Sequence, residues 1–332
     1  MSDLFTEPPE QALVKMVAPI AVGFIMLMAI DYADALVADF ISVQALAILG
    51  YCYPVLYFMI AIGFGLNQGM TIVASKGYVQ RGLPALYGWL IQSTYLALLV
   101  SVLLCGVVLS VLHFGWIQSE FLTQYFTEIK PFLYVLIFAI FPTFVLLLLC
   151  ASCQIRGQPD TIRDVLGIMF VGTCVFHPLF AIYLEYGLVG IAASKVINVF
   201  IGVLYMLFRT IGSVDMRGET KQFSLRQQGM LCHHALPASF IQLLVPMYLL
   251  YLTHIVTYFG VEALAGFHLG YRIVMFVIVP ILGTLVALLA LISHAYNEGD
   301  YQRIRQLLKV SLSKGSAIVC IALVITYIAS RV

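Results

Sequence analysis

Long apolar stretches separated by short polar intervals run along almost the whole chain. Nine of the stretches are long enough to cross a bilayer, for which about 20 apolar residues suffice. They cover residues 13–37, 44–74, 86–112, 127–153, 163–184, 188–209, 233–258, 263–294 and 306–329. Several exceed the minimum length, which indicates tilted helices or helices that continue into the headgroup region. The pattern predicts an all-α integral membrane protein.

The chain repeats itself at an offset of 218 residues. The segment Val43–Ala47 returns as Val261–Ala265 with one substitution. Further residues return at the same offset: Pro19 as Pro237, Tyr53 as Tyr271, Gly65 as Gly283, Ser75 as Ser293 and Tyr78 as Tyr296. A shared apolar bias does not keep one ungapped register over two helices and two loops. Duplicated halves are typical of membrane transporters, so the repeat predicts transport.

The repeat also predicts how the chain is divided. Residues 1–12 form an N-terminal tail, and residues 13–209 form a six-helix N-terminal bundle. Residues 210–232 are a polar cytoplasmic linker, and residues 233–332 hold three further helices. A second half as long as the first would continue beyond these residues, so we expect a partial, three-helix C-terminal bundle. We also expect residues 1–332 alone to insert into a membrane but not to transport.

The basic residues predict the orientation. With the N-terminus in the cytoplasm, 13 of the 17 Lys and Arg residues fall on the cytoplasmic side. Lys130 and Arg331 fall outside, and Lys195 and Arg272 lie within helices. This positive-inside bias indicates a multi-pass protein with a cytoplasmic N-terminus, which we expect in a bacterial inner (plasma) membrane. Six helices separate the repeats, so both halves share one orientation, related by an axis near the membrane normal.

Composition excludes several classes of protein. Hydrophobic residues make up 62% of the chain, charged residues only 10%, and the mean hydropathy is +1.01, which excludes a soluble globular domain. The net charge of +1 and the lack of a basic, aromatic patch argue against a nucleic-acid partner. The chain holds no H-E-x-x-H, G-x-S-x-G or paired His/Asp motif, so we do not expect an enzyme. Cys150 and Cys153 form a C-x-x-C pair that packing explains better than metal binding or redox chemistry.

Two carboxylates stand out within the apolar segments. Asp31 and Asp34 lie three residues apart on one face of the first predicted helix. An ionisable group at the centre of a membrane costs about 2.5–3.5 kcal/mol on insertion scales, and it indicates a functional site. Such a group could load and release a proton, or bind Na⁺. The alternative is that both carboxylates face the aqueous end of the helix, since Asp39 marks its outer boundary.

Other polar residues in the predicted helices are candidates for a substrate cavity. Arg272 could pair with a carboxylate or with helix carbonyls, or it could contact an anionic substrate. The uncharged candidates are amide side chains, which could equally join helices to one another: Asn67, Gln68, Gln92, Asn198 and Gln242.

Several short motifs, taken in order, resemble those of the multidrug and toxic compound extrusion (MATE) transporters. In the first half they are Pro19, Asp34, Gln44–Ala47, Gly65 with Gly69, Arg156-Gly157 and Tyr186–Ala193. In the second half they are Leu236-Pro237, Glu262–Ala265 and Tyr296–Asp300. Each motif alone is weak, but their order and spacing are fairly specific. The resemblance covers the chain up to the ninth of twelve family helices, and it implies two six-helix bundles around a V-shaped cavity.

The resemblance implies that Asp34 takes up H⁺ or Na⁺, the transported ion, and that no cofactor is bound. The chain departs from the family at four positions. His177 stands where Asn is common, and Ala181 stands where many members have Asp. Lys195 stands where Thr is common, and Val245 stands where some members have a carboxylate in helix seven. A mechanism that needs several carboxylates is therefore in doubt. What remains is a cluster of Asp34, His177 and Lys195, with Asp31 beside it. Lys195 could instead extend to the headgroups, and His177 could bond a carbonyl freed by Pro178.

The resemblance implies a secondary active antiporter that exports small amphipathic, often cationic, organic compounds in exchange for H⁺ or Na⁺. A flippase for a lipid-linked saccharide is an alternative, although several intramembrane cations would be expected for its pyrophosphate. An inactive, truncated transporter is another alternative. The sequence predicts a small-molecule substrate and membrane lipid as partners and leaves the oligomeric state open.

Overall fold

The structure is a computed structural model that describes residue 5 and residues 7–114, 120–211, 223–313 and 316. Every regular element among these residues is helical. A π-helical turn, Leu179–Tyr183, follows α5, and residues 301–313 form a further helical segment. The helices are α1 (Pro9–Ile41), α2 (Val43–Arg81), α3 (Leu83–Phe114), α4 (Glu120–Ile155), α5 (Pro159–Pro178), α6 (Gly187–Ile211), α7 (Leu225–Thr257) and α8 (Val261–Glu298).

Within the described residues, 8 helices are long and apolar enough to cross a membrane. They correspond to the first eight predicted spans, and most of the ninth, 306–329, lies outside the described residues. Six of the eight helices run past their predicted spans at both ends, whereas α5 with its π-helical turn and α7 each end one residue short. Helix α7 begins at Leu225, so residues 225–232 of the predicted linker are helical. This extension is polar, since it includes Arg226 and Gln228, and it lengthens α7 on the predicted cytoplasmic side.

Helices α1–α6, which we call the N-terminal bundle, pack around a shared interior. Helix α1 contacts α5, α2 contacts α3 and α4, and α4 contacts α6. The interior is filled by large apolar side chains such as Met16, Ile20, Met70 and Phe144, which are almost fully buried. This packing brings the predicted outer halves of α1, α2, α5 and α6 together.

Helices α7 and α8 pack on the N-terminal bundle in a symmetric way. Helix α2 contacts α7, and α1 contacts α8. A Cβ added at Gly65 on α2 would collide with Ser239 on α7, and one added at Gly283 on α8 would lie 3.2 Å from Cα of Ala21 on α1. Gly65 and Gly283 are repeat mates, and so are Ala21 and Ser239, because each pair is separated by 218 residues. The two contacts are therefore one contact repeated by a pseudo-twofold axis.

A third close contact marks the position of that axis. A Cβ added at Gly50 on α2 would lie 2.5 Å from Cδ2 of His268 on α8. Gly50 and His268 are themselves 218 residues apart, so each repeat mate contacts the other. A residue pair of this kind lies on the pseudo-twofold axis itself. Helices α2 and α8 cross there, one turn away from Tyr53 and Arg272.

Candidate functional site

Asp34 lies on α1, well before the end of that helix. Ile41, the last residue of α1, is seven positions further on, which corresponds to about 10 Å at a rise of 1.5 Å per residue. The Asp34 side chain is fully buried (0% exposed). Neighbouring helices therefore enclose this carboxylate, and it does not face solvent.

Three side chains from three other helices surround the Asp34 carboxylate. His177 Nε2, from α5, lies 2.6 Å from Oδ1. The Tyr53 hydroxyl, from α2, donates a hydrogen bond of 2.8 Å to Oδ2. The Lys195 ammonium, from α6, forms an ion pair with Oδ2. The predicted grouping of Asp34, His177 and Lys195 is present in the structure, and Lys195 does not extend to the headgroups.

His177 is oriented by Ser194, which lies next to Lys195 on α6. The Ser194 Oγ is 2.7 Å from His177 Nδ1 and 2.9 Å from the Ile191 carbonyl oxygen. The hydroxyl hydrogen can point at only one of these two acceptors. If it points at Ile191, Nδ1 carries its own hydrogen and donates it to Ser194, and if it points at Nδ1, that nitrogen carries none. Rotation of one hydroxyl therefore lets the site hold two different numbers of protons without moving a heavy atom.

The chain leaves α5 immediately after His177 in an irregular way. Pro178 ends α5 and the wider π-helical turn follows, with Leu184 N bonded to Leu179 O at 2.9 Å. Proline has no N–H to continue the α-helical ladder, and single π turns occur frequently at functional sites. His177, in the last turn of α5, contacts Asp34 on α1 and Ser194 on α6.

Asp31 lies one helical turn before Asp34 and is only partly buried. Its Oδ2 accepts a hydrogen bond of 3.1 Å from the Tyr57 hydroxyl on α2. Tyr53 and Tyr57 are themselves one turn apart, and each serves one carboxylate of α1. The sequence analysis missed both tyrosines and Ser194. Their signal was the matching spacing: Tyr53 and Tyr57 on α2 follow the helical period of Asp31 and Asp34 on α1.

A cavity of ≈ 210 Å³ lies inside the N-terminal bundle, and Asp31 and Lys195 form part of its wall. Most of the wall is apolar, with side chains such as Phe24, Met59 and Phe144. The polar groups that line it are few, so a bound compound would be held by a large apolar surface with polar groups at defined points. Those polar residues are Asp31, Asn67, Thr143, Gln154, Thr173, Lys195 and Asn198.

The predicted cavity residues fall into three groups. Asn67 and Asn198 line the cavity and also join helices, through hydrogen bonds to Leu147 O (2.7 Å) and Thr173 Oγ1 (3.1 Å). Gln92 does not line the cavity. Its side-chain and main-chain oxygens accept hydrogen bonds from Gln228 at the start of α7. A third group, Gln68, Gln242 and Arg272, is not among the residues that line this cavity.

Arg272 instead lies above Tyr53. Its guanidinium carbon is 4.4 Å from the centre of the Tyr53 ring, and the Lys195 ammonium is 6.0 Å from the same centre. Tyr53 thus links the Asp34 site in the N-terminal bundle to α8 in the second half of the chain.

Side chains of this protein occupy both oxygens of the Asp34 carboxylate. Hard cations such as Na⁺ are held by several oxygen atoms, whereas both Asp34 oxygens already face N–H or O–H groups from His177, Tyr53 and Lys195. Among the described residues, no group of three or more His, Cys, Asp or Glu side chains could hold a metal ion.

Comparison with known proteins agrees with this architecture. A protein-family model described as MatE matches residues 19–183 and 237–332. An outward-facing multidrug resistance MATE family transporter of the MOP superfamily has a TM-score of 0.84 and 19% identity, over 99% of this chain and 74% of that one. No curated protein sequence matches the chain.

Two further solved structures are similar in fold. A MOP superfamily transporter from Pyrococcus furiosus, with a binding pocket of reverse polarity, has a TM-score of 0.81 and 20% identity over 95% of this chain and 71% of that one. A mutant MATE transporter from Vibrio cholerae has a TM-score of 0.78 and 19% identity over 96% and 73%. At these identities the likeness shows the fold. The family model, however, matches both halves of the repeat and more than half of the chain, and this protein therefore belongs to the MatE family of membrane transporters.

Proposed function

We propose that this protein is a secondary active antiporter that exports small amphipathic, often cationic, compounds in exchange for protons. The observation that carries the proposal is the fully buried Asp34 carboxylate, held by His177, Tyr53 and Lys195 from three other helices. Burial of an ionisable cluster of this kind is costly, so the cluster indicates a functional site.

We propose the proton as the coupling ion because the cluster already contains its own cation, Lys195. The Lys195 ammonium neutralises Asp34 where a metal ion would otherwise be required. His177 and Ser194 supply a chain of hydrogen-bonding groups that can accept or release one proton by rotation of a hydroxyl. Na⁺ would have to displace Lys195 from Asp34, whereas a proton only has to join the cluster.

The geometry also suggests how a proton could drive release of a substrate. A protonated Asp34 would lose its charge attraction for Lys195, whose side chain also lines the cavity beside Asp31. A freed ammonium near Asp31 would compete with a cationic compound bound there. Proton uptake would thus weaken binding of the cation electrostatically, and loss of the proton would return Lys195 to Asp34. Antiport would therefore arise because the freed Lys195 ammonium and the cationic compound cannot both lie beside Asp31.

Replacement of Asp34 by Asn tests the function directly. The amide keeps the shape of the carboxylate but does not titrate. The assay uses conditions under which the wild-type protein exports a fluorescent cation, with further family helices supplied if residues 1–332 alone do not transport. Asp34→Asn should then reduce proton-driven export to background. Asp39→Asn is the matched control, because Asp39 lies on the same helix but is exposed, and it should export at the wild-type rate. Membrane insertion of both variants is measured in parallel. Export by Asp34→Asn at the wild-type rate would show that the coupling assignment is wrong.

A further inference from the structure

Arg272 is an unusual group at the contact between the two halves of the protein. Its side chain is almost completely buried (4% exposed) and lies over the Tyr53 ring. Its Nε, Nη1 and Nη2 atoms have no hydrogen-bond partner among the residues that the structure describes. A buried guanidinium normally has partners, because burial of an unpaired charge costs several kcal/mol.

The nearby carboxylates have other partners in the structure and form no hydrogen bond with Arg272. Both oxygens of Asp34 face His177, Tyr53 and Lys195. The Asp31 Oδ2 accepts from Tyr57. His268, one turn before Arg272, bonds Thr253 on α7 at 3.3 Å rather than any group near the guanidinium. The stacking on Tyr53 orients the guanidinium plane and leaves its donors available.

We propose that Arg272 is the binding subsite for an oxyanion, a carboxylate or phosphate, carried by the transported compound. The guanidinium presents its N–H groups in a rigid planar fork that matches the two oxygens of such a group. Because burial removes competing water, these hydrogen bonds are strong, at about 1.5–3 kcal/mol each for charged partners. Closure of α8 onto α2 without an acceptor leaves the guanidinium unpaired, so a bound oxyanion stabilises the closed contact.

This inference deepens the proposed function and rests on it, because it gives the exported compound two charges. Asp31 and Lys195 line the cavity, and Tyr53 contacts Asp34 through its hydroxyl and Arg272 through its ring. A zwitterion can place its cationic group at Asp31 and its oxyanion at Arg272. The predicted substrate class therefore changes from a simple lipophilic cation to an amphipathic zwitterion.

The test uses two dyes that differ only in the anionic group: a rhodamine ethyl ester, which is a cation, and the free carboxylic acid of the same rhodamine, which is a zwitterion. Binding of each to the purified full chain in detergent is measured by fluorescence polarisation. We expect the wild-type chain to bind the acid at least about tenfold more tightly than the ester, which corresponds to one charged hydrogen bond.

Three variants make the assignment specific. Arg272→Gln should abolish the preference for the acid, and Arg272→Lys should keep part of it, because an ammonium retains the charge but not the planar fork. Arg163→Gln is the matched control, since Arg163 lies on the predicted cytoplasmic side and pairs with Asp160 and Asp164, and its preference should equal that of the wild type. Thermal unfolding of each variant checks that it is folded.

The outcomes separate this inference from the function on which it rests. Equal affinity of the wild-type chain for acid and ester, binding of neither dye, or an undiminished preference in Arg272→Gln would overturn the subsite. A preference lost only in the Arg272 variants supports it, even if Asp34→Asn still exports. In mixed micelles with phosphatidylcholine, phosphatidylglycerol can be added as a competitor of the bound acid dye. Competition in the wild type that is lost in Arg272→Gln would also support the oxyanion subsite and would identify a lipid headgroup as the source of the oxyanion.

Discussion

At the scale of single residues, the site depends on how one carboxylate is shared. Asp34 has two oxygens, and side chains from α2, α5 and α6 reach them. The Lys195 ammonium offsets the charge of the carboxylate, so the cluster carries its own counter-ion. Lys195 changes the chemistry most, because its ammonium contacts Asp34 where a smaller uncharged residue would leave room for an external cation.

Lys195→Thr tests this role. The substitution removes the ammonium from Asp34 Oδ2 and adds a hydroxyl oxygen near it, so the carboxylate gains access to an external cation. Export by the variant should depend more strongly on external Na⁺, or more steeply on external acidity, than export by the wild-type chain. Transport in proteoliposomes with Na⁺ or choline outside measures the difference. Lys15→Thr, at an exposed position near the start of α1, is the control, and identical ion dependence in Lys195→Thr and the wild type would count against the ion pair as a determinant of coupling.

At the scale of helices, the important contacts are those in which α7 and α8 approach the N-terminal bundle. Glycines on α2 and α8 permit these approaches, because a side chain would collide with the facing helix at Gly65 and Gly50 and would be crowded by it at Gly283. The same two helices carry Tyr53 and Arg272, so their separation must change the surroundings of both residues. The contact between α2 and α8 is thus mechanically joined to the Asp34 site through the Tyr53 side chain.

A graded series of Gly→Ala substitutions tests these contacts. Gly65→Ala should have the largest effect, because its methyl group would collide with the backbone of Ser239 as well as its side chain. Gly283→Ala should have a smaller one, since the nearest atom would be 3.2 Å away. Gly106→Ala, where nothing lies within 4 Å, should be neutral or slightly stabilising. Overpacking costs about 1–3 kcal/mol. The unfolding temperature and the rate of export should therefore be lowest for Gly65→Ala, higher for Gly283→Ala and close to the wild-type values for Gly106→Ala. Equal behaviour of Gly65→Ala and Gly106→Ala would contradict the close approach of α2 and α7.

At the scale of the whole molecule, the two halves are arranged about one axis. The pairs Gly65 with Ser239 and Gly283 with Ala21 are equivalent by the repeat, and Gly50 contacts its own repeat mate His268. An even number of helices between the repeats gives both halves the same direction through the membrane. The chain uses this symmetric frame asymmetrically, because Asp34 has Leu252 as its repeat mate. Only the first half therefore carries the cluster of Asp34, His177 and Lys195.

The direction of the helices can be measured by labelling single cysteines in a cysteine-free background. Gln158 lies exposed between α4 and α5, and Phe259 lies exposed between α7 and α8. The positive-inside rule places the first in the cytoplasm and the second outside. A membrane-impermeant maleimide added to intact cells should label Phe259→Cys and should label Gln158→Cys only after lysis. The reverse pattern would invert the predicted orientation.

Sequence alone determined the features that depend on local composition and on spacing along the chain. The apolar stretches predicted an all-α membrane protein, the 218-residue repeat predicted the matching helices α1 with α7 and α2 with α8, and the order of short motifs indicated the family. Asp31 and Asp34 stood out because carboxylates are rare among apolar residues. These properties follow from the length and polarity needed to cross a bilayer, which each segment carries by itself.

The tertiary structure decided which side chains meet. Tyr53 and Tyr57 look like ordinary aromatic residues of a membrane helix until α2 packs against α1 and turns their hydroxyls toward Asp34 and Asp31. Gln92, predicted for the cavity, instead joins α3 to α7, because the rotation of α3 directs it there. Arg272 is buried over Tyr53, and its nitrogen atoms have no hydrogen-bond partner among the described residues. Helix rotation and contacts between distant segments set these choices, and neither is encoded in the local pattern of apolar and polar residues.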